Sequence, residues 1–282
     1  MAEVGKYNTL KINRQVDFGA YLDGEELGEI LMPKRYLEPD AKPGDMVTVF
    51  VYLDSEDRLV ATTETPLAQV GDFALLKVVS VDSMGAFLDW GIMKDLLVPF
   101  REQKKTMMTG ISYLVYIYFD QESKRLAASA KLDKFLDNVP AEYKEGEKVE
   151  LMIAGQTDIG FKAIINKLHW GVLYKNEVFC ELRPGDTTDG YIKKVREDGK
   201  IDLCLQPAGY DKIYTIRDLI LDKLNKNKGF LALSDKSPAE EIYAAFGISK
   251  KTFKQTIGSL YKDRIISIDD KGITLIAHPE GD

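Results

Sequence analysis

The pattern of hydrophobic and polar positions changes once along the chain. Up to about residue 206, apolar residues alternate with polar ones in short runs that Gly, Pro and Asp separate, as at 46–53 and 111–119. This period of two predicts β-strands. From Tyr210 onwards the apolar residues follow helical spacing, so Pro207-Ala208-Gly209 predicts a domain boundary. The pattern therefore predicts a mostly β chain with a C-terminal α+β domain.

The β-rich part contains an internal repeat. Sliding the sequence by 66 residues aligns, without a gap, Gly5 with Gly71, Gly19 with Gly85 and Pro33 with Pro99. A weaker third copy follows at an offset of 75, aligning Gly71 with Gly146 and Gly85 with Gly160. Each copy has the strand rhythm of a small five-stranded barrel. We therefore predict three tandem barrels, at 1–66, 67–138 and 139–209.

The turns Gly-Ala-Tyr-Leu-Asp at 19–23 and Gly-Ala-Phe-Leu-Asp at 85–89 resemble the RNA-binding domain of ribosomal protein S1. The resemblance implies S1-like OB barrels that bind single-stranded RNA through strand aromatics and basic residues. It implies stacking rings at Phe18, Tyr21 and Phe87. It implies basic contacts at Lys11, Lys77, Arg58 and Arg125. Two positions depart from the family: Met84 replaces an aromatic residue, and Leu31 and Leu97 stand where the family has His.

One strand of the first copy is apolar on both faces. Alternation over 46–53 puts Phe50 and Tyr52 on the face opposite Val49 and Val51, and Tyr116 and Tyr118 repeat this in the second copy. One face packs the barrel core. The aromatic face either extends a stacking surface or packs against the neighbouring barrel, since aromatic residues are common in both settings.

The region 210–282 predicts a winged-helix domain. The expected order is a helix capped by Thr215, a short strand, a helix ending at Gly247, a third helix capped by Ser249, and a β-hairpin. The third helix is predicted to bury Phe253, Ile257, Leu260 and Tyr261. Its neighbouring face is predicted to contact phosphates through Lys250, Lys251 and Lys254. The neutral alternative is that these lysines only solubilise the helix.

Barrels of this type followed by a winged helix resemble the conserved virulence factor B family of bacterial RNA-binding regulators, over essentially the whole chain. The resemblance implies three barrels, a winged helix, and RNA binding that affects gene expression. The expected partner is single-stranded RNA, or DNA through the winged helix.

Charge is distributed unevenly among the predicted domains. The chain carries a net charge of −7, of which positions 1–66 contribute −6, whereas 210–282 carry +1. Phosphate binding needs local Lys and Arg, and Glu25, Glu26 and Glu29 lie beside the expected binding face of the first barrel. This acidic barrel is therefore a candidate site for a protein partner.

The sequence offers no signal for catalysis or for a membrane location. There is no basic-then-apolar leader and no apolar run of about 20 residues, so we expect a cytoplasmic protein. Cys180 and Cys204 are interpreted as reduced, buried residues.

No phosphate loop, nucleophile motif or zinc signature is present, so we predict a non-catalytic protein with no cofactor and no metal. The cluster of Asp54, Glu56 and Asp57 is interpreted as a solvated hairpin, and His169 as a satisfied barrel residue. The alternative function, from a different class, is a protein-interaction scaffold.

Overall fold

The structure is a computed structural model that describes residues 1–178, 180–206 and 212–276, with the side chains of 212–215 left out. These residues form two compact units. The first unit comprises residues 1–140 together with 167–169, and the second contains the other described residues.

The first unit begins with a closed five-stranded barrel. Its strands are β1 (Tyr7–Val16), β2 (Gly19–Asp23), β3 (Glu29–Pro33), β4 (Met46–Leu53) and β5 (Leu59–Thr62). They close in the order β1-β2-β3-β5-β4, with β3 and β5 parallel and the other pairs antiparallel. Ile12, Leu22 and Val51 lie in the buried core, because alternation turns every second side chain inward.

The second half of the first unit repeats this arrangement as a five-stranded sheet, here called the second sheet. Its strands are β6 (Phe73–Val81), β7 (Gly85–Leu88), β8 (Leu96–Pro99), β9 (Ser112–Asp120) and β10 (Arg125–Ser129). Their order is β10-β9-β6-β7-β8, which matches the first barrel strand for strand. Among the described residues, no hydrogen-bonded ladder joins β8 and β10, although these two strands lie side by side as β3 and β5 do in the first barrel.

The two repeats share one hydrophobic cluster, here called the joint. Phe50 and Tyr52, on the outer face of β4, are buried together with the core of the second sheet. The Phe50 ring meets Trp90 edge to face, with 5.4 Å between ring centroids, and the Trp90 indole N–H donates to the Ala68 carbonyl at 2.7 Å. Of the two interpretations left open by the sequence, burial against the neighbouring repeat is the correct one for this strand.

The second unit contains a third closed barrel. Its strands are β11 (Lys148–Gln156), β12 (Gly160–Ile165), β13 (His169–Tyr174), β14 (Thr187–Val195) and β15 (Ile201–Cys204), in the order β11-β12-β13-β15-β14. The core includes Leu151, Ile165 and Leu203. In each repeat the second strand begins with a glycine, at Gly19, Gly85 and Gly160. A Cβ added to any of these glycines would lie about 2 Å from a backbone carbonyl oxygen. The weaker third copy thus shares the repeat's tightest turn.

The remaining described residues form a winged helix. Its elements are α1 (Lys212–Lys226), β16 (Phe230–Leu231), α2 (Ala239–Phe246), α3 (Lys250–Lys262), β17 (Ile266–Asp269) and β18 (Gly272–Leu275), with the sheet order β16-β18-β17. Phe253, Ile257 and Leu260 bury the inner face of α3. The predicted fold class, tandem S1-like barrels followed by a winged helix, is confirmed.

Three local predictions are wrong. The first helix begins at Lys212, so Thr215 lies inside it and does not cap it. Tyr261 is 58% exposed and does not belong to the buried face of α3, because it lies near the end of the helix, one residue past Leu260. Cys180 is exposed, whereas Cys204 is half-buried.

Candidate nucleic-acid interface

The first barrel presents an aromatic cluster at the start of β2. Phe18 is 58% exposed and meets Tyr21 edge to face, with 6.4 Å between ring centroids. The guanidinium of Arg14 lies over the Tyr21 ring, 4.0 Å from its centroid. An exposed ring next to a guanidinium suits a nucleic-acid base and its backbone, since bases stack on rings and on Arg planes. The structure thus brings together Phe18 and Tyr21, as predicted, and adds Arg14.

Arg14 also neutralises an acidic residue of this face. Its Nε and Nη2 donate to the two carboxylate oxygens of Glu29 at 3.2 and 2.7 Å. These hydrogen bonds lower the pKa of Glu29, which therefore stays ionised and paired. The acidic surface that the sequence predicted beside β2 is consequently reduced, although Glu25 and Glu26 remain exposed.

A β-bulge explains why sequence reasoning missed Arg14. Strict alternation from Ile12 turns Arg14 inward, but the register of β1 shifts between the two residues, so that Ile12 faces Leu22 and Arg14 faces Tyr21. A bulge inserts one extra residue and reverses the side-chain alternation after it. A charged residue at a position that alternation assigns to the core was the available signal.

The basic residues of the first strands lie on exposed positions. Lys11 is opposite Met46 on β4, and Lys77 is opposite Ser112 on β9. Both side chains are exposed, and neither lies on β2 or β7, the strands that carry the aromatic residues.

The equivalent face of the second sheet is apolar. Phe87 is half-buried on β7 and pairs with Ser80, which takes the place of Arg14. Val79, Val81 and Met84 around it are 40–51% exposed. This face therefore has a ring, but it lacks the guanidinium that covers Tyr21 in the first barrel.

Arg58 and Arg125 lie at the joint and are already ion-paired. Arg58 contacts Asp54 at 2.7 Å and Glu56 at 3.1 Å. Arg125, from the second sheet, pairs with Asp57 of the first barrel, and this contact lowers the pKa of Asp57. The structure thus separates these two arginines from the aromatic cluster: Arg58 is paired within its own turn, and Arg125 is paired across the two repeats.

The acidic turn of the first barrel is held by its own backbone. Asp54 Oδ1 accepts from the amides of Glu56 and Arg58 at 2.9 and 3.0 Å. Lys94 of the second sheet donates to the carbonyls of Leu53 and Asp54 at 2.7 and 2.6 Å, and its burial lowers its pKa. Over the described ranges, no group of three or more His, Cys, Asp or Glu could hold a metal ion.

The third barrel has a cation–aromatic pair that sequence reasoning did not select. Lys162 Nζ lies 3.6 Å from the centroid of the Trp170 ring. Lys162 follows Gly160 by two positions, as Tyr21 follows Gly19, so the aromatic residue has moved to the next strand. On the same barrel, Arg196 pairs with Asp202 at 2.9 Å. The available signal was Lys162 at the position two residues after the turn glycine, where the first two copies have Tyr21 and Phe87.

Helix α3 exposes lysines on its outer face. Ser249 caps the helix by accepting the Thr252 amide at 3.2 Å, as predicted. Lys250 is half-buried and donates weakly to the Lys236 carbonyl at 3.4 Å, and Lys254 lies 3.5 Å from a carboxylate oxygen of Asp235. Lys251 is exposed, and within the described part of the chain no carboxylate lies within 4 Å of it. Of the three lysines predicted to contact phosphates, it is the most available.

Two further predictions from the sequence concern residues outside the candidate interface. His169 is buried and its Nε2 lies 2.8 Å from the Val139 carbonyl, as expected for a satisfied structural residue. None of the helices that the structure describes is long and apolar enough to cross a membrane.

Comparison with known proteins gives matches at both ends of the chain. Residues 4–64 match the model of an S1 domain, and residues 218–275 match that of a CvfB-like winged helix domain. A Bacillus subtilis protein named YitL is 29% identical over 92% of this chain and 89% of its own length. Conserved virulence factor B of Staphylococcus haemolyticus is 26% identical over 84% of this chain and 82% of that protein.

A solved structure also aligns with the chain. It is described as a multidomain protein with nucleic acid binding domains from Streptococcus pneumoniae, and it is 24% identical with a TM-score of 0.43, covering 97% of this chain and 98% of that one. The two domain models and the curated relatives confirm the resemblance inferred from the sequence.

Proposed function

We propose, from its S1 domain, its CvfB-like winged helix and its similarity to conserved virulence factor B proteins, that this chain is a non-catalytic protein that binds single-stranded RNA and regulates gene expression in the cytoplasm. The observation that carries the proposal is the exposed Phe18 ring beside Tyr21 and Arg14. A base stacked on such a ring contributes about 1 to 3 kcal/mol, whatever the base.

The winged helix supplies the second contact. Lys251 and Lys254 lie on the outer face of α3, the helix that contacts nucleic acid in this fold. Together with Lys11, Lys77 and Lys250 they provide the cationic groups, whereas Arg58 and Arg125 are assigned to the joint. Single-stranded RNA is favoured over duplex DNA because the aromatic cluster needs unstacked bases.

The proposal is tested by titrating fluorescent single-stranded RNA, and separately duplex DNA, with the full chain. We expect micromolar affinity for RNA and weaker binding of the duplex. Phe18→Ala should weaken RNA binding about tenfold, because it removes one stacking ring, whereas Phe18→Trp should retain it.

Met46→Ala is the matched control, since Met46 is 60% exposed on the same barrel but lies away from β2. Equal affinity of the Phe18→Ala variant and the parent chain would refute the proposal.

A second candidate function, a protein-binding scaffold, is favoured by one observation. The second sheet has the exposed residues Val79 and Val81 where the first barrel has Asn13 and Gln15. The exposed Met84 adds to this apolar surface near Phe87. Under this alternative, Phe87→Ala leaves RNA affinity unchanged, whereas under the first proposal it weakens RNA binding as Phe18→Ala does.

A further inference from the structure

A groove of about 550 Å³ opens beside Phe18 in the first barrel. Asp17 and Gly19, the two chain neighbours of the exposed Phe18, line it. Val16, Leu37 and Pro39 contribute apolar surface, and the polar surface of the groove is slightly larger. The volume admits a flat nucleobase, and the polar side chains can fix its orientation.

The polar groups of the groove are mostly hydrogen-bond acceptors. Asp17, Glu38 and Lys34 line it, and in the described structure none of these three side chains forms a hydrogen bond or ion pair with the protein. Gln15 also lines the groove, but its side chain is already hydrogen-bonded, because its Nε2 donates to the Ala41 carbonyl at 2.6 Å. Two carboxylates and one ammonium leave the groove with a negative charge, which disfavours a phosphate.

The second sheet provides an internal comparison. At the 66-residue offset Asp17 corresponds to Ser83, Glu38 to Lys104 and Lys34 to Phe100. Both carboxylates are therefore lost in the second repeat, and one is replaced by a cation. At the 75-residue offset, however, the third repeat has Asp158 and Lys175 at the positions of Asp17 and Lys34. Glu38, the second carboxylate of the groove, occurs in the first repeat only, which is also the repeat that carries the exposed Phe18 and Arg14.

From this arrangement we infer that the groove holds a guanine of the bound RNA strand. The inference rests on the proposed function. Guanine presents adjacent N1–H and N2–H donors, which one carboxylate accepts with its two oxygens, and an O6 acceptor for the Lys34 ammonium. Adenine, cytosine and uracil each offer only one donor group on that edge, so one carboxylate oxygen stays unpaired with them.

The test compares short uridine-rich single-stranded RNAs of equal length, with guanine or adenine at every third position, titrated against the full chain. We expect the guanine RNA to bind about five- to tenfold more tightly, the lower part of the range for a bidentate base contact. Asp17→Asn and Glu38→Gln, each made alone and together, should reduce this ratio toward one and leave the affinity for plain oligouridine unchanged.

Glu26→Gln is the matched control, because Glu26 is an exposed carboxylate of the same barrel outside the groove. Equal binding of the guanine and adenine RNAs, or a guanine preference that both groove variants retain, would overturn the inference while leaving RNA binding intact. Guanosine 5′-monophosphate that bound as tightly as the guanine RNA would also overturn it, since the ligand would then be a free nucleotide. Loss of all RNA binding, oligouridine included, would instead contradict the proposed function.

Discussion

Gly19 illustrates how one residue controls the position of the candidate site. A Cβ added there would lie 2.1 Å from the Met32 carbonyl oxygen, which is backbone and cannot rotate away. The missing side chain lets the start of β2 approach the end of β3, where the Lys34 amide donates to the Phe18 carbonyl at 2.9 Å. The exposed position of Phe18 therefore depends on a neighbour that has no chemistry of its own.

Gly19→Ala is expected to destabilise the first unit by about 3 kcal/mol or more, because the strand pair must separate to admit the methyl group. Urea unfolding followed by tryptophan fluorescence measures this. Gly28→Ala is the matched control: it also has a positive φ, of 74°, but nothing lies within 4 Å of its added Cβ. With φ 74° and ψ −156°, Gly28 has a backbone conformation that only glycine adopts readily, so Gly28→Ala should cost the backbone strain of about 1 to 3 kcal/mol without a steric clash. An equal loss in the two variants would contradict the steric argument.

At single positions, the sequence predicted side chains whose type alone suggests a role. Phe18 and Tyr21 were selected as stacking rings, and the structure brings them together. Arg14 was not selected, because strict alternation along β1 assigns it to the core, and the bulge that turns it toward Tyr21 was marked only by its charge. Arg58 and Arg125 were selected for their charge, but both are ion-paired. Arg58 pairs with carboxylates of its own turn, whereas Arg125 pairs with Asp57, whose proximity depends on how the repeats pack.

At the scale of elements, β4 differs from its counterpart β9 although the repeat aligns them. Both faces of β4 are buried, Val49 and Val51 in the barrel and Phe50 and Tyr52 in the joint. On β9 the position equivalent to Phe50 is Tyr116, which is half-buried and stacks on Phe135 with 4.1 Å between ring centroids. One aligned position thus serves as core in one repeat and as partly covered surface in the other.

Phe50→Ala should destabilise the first unit by about 3 to 5 kcal/mol, the usual cost of removing a fully buried aromatic ring. Because the Phe50 ring contacts Trp90, the loss should appear in a fluorescence-detected urea transition of the second sheet as well as the first barrel. Tyr116→Ala, at the equivalent position, is the matched control and should cost less. If the urea midpoint reported by Trp90 fluorescence were the same in Phe50→Ala as in the parent chain, the repeats would unfold independently.

The order of strands and helices was predictable, because hydrophobic periodicity and turn glycines mark each element locally. The missing ladder between β8 and β10 was not, since it depends on pairing between strands that are far apart in sequence. For the same reason the sequence left two interpretations for the aromatic face of β4. Strand pairing and the burial of the aromatic face depend on contacts between residues far apart in sequence. The local pattern of a single repeat does not show those contacts.

At the scale of the whole molecule, a net charge of −7 requires nucleic acid to be bound by local groups. The acidic excess lies within 1–66, where the candidate site has a ring, a paired arginine and carboxylate acceptors. The lysines of α3 lie in the only predicted domain with a positive net charge. Base contacts in one region and phosphate contacts in the other are therefore expected to respond differently to salt.

Lys251→Glu should reduce the salt dependence of RNA binding. Each phosphate contact with a single strand contributes about 0.7 to the slope of log affinity against log salt, so the slope should become shallower by about that amount. Anisotropy titrations over a series of salt concentrations measure it. Lys226→Glu, an equal charge change on α1 of the same domain, is the matched control, and an identical shift in both variants would attribute the effect to net charge alone.

The contacts at the joint also show that the two repeats are no longer interchangeable. Two copies that arise by duplication start out interchangeable, but here the first copy contributes Phe50 and the acidic turn, and the second contributes Trp90 and Arg125. Exchanging the order of the copies would put Tyr116 where Phe50 is needed and leave Trp90 without its neighbour. Each copy has therefore specialised around the other, and later sequence change in one is constrained by the residues of its twin.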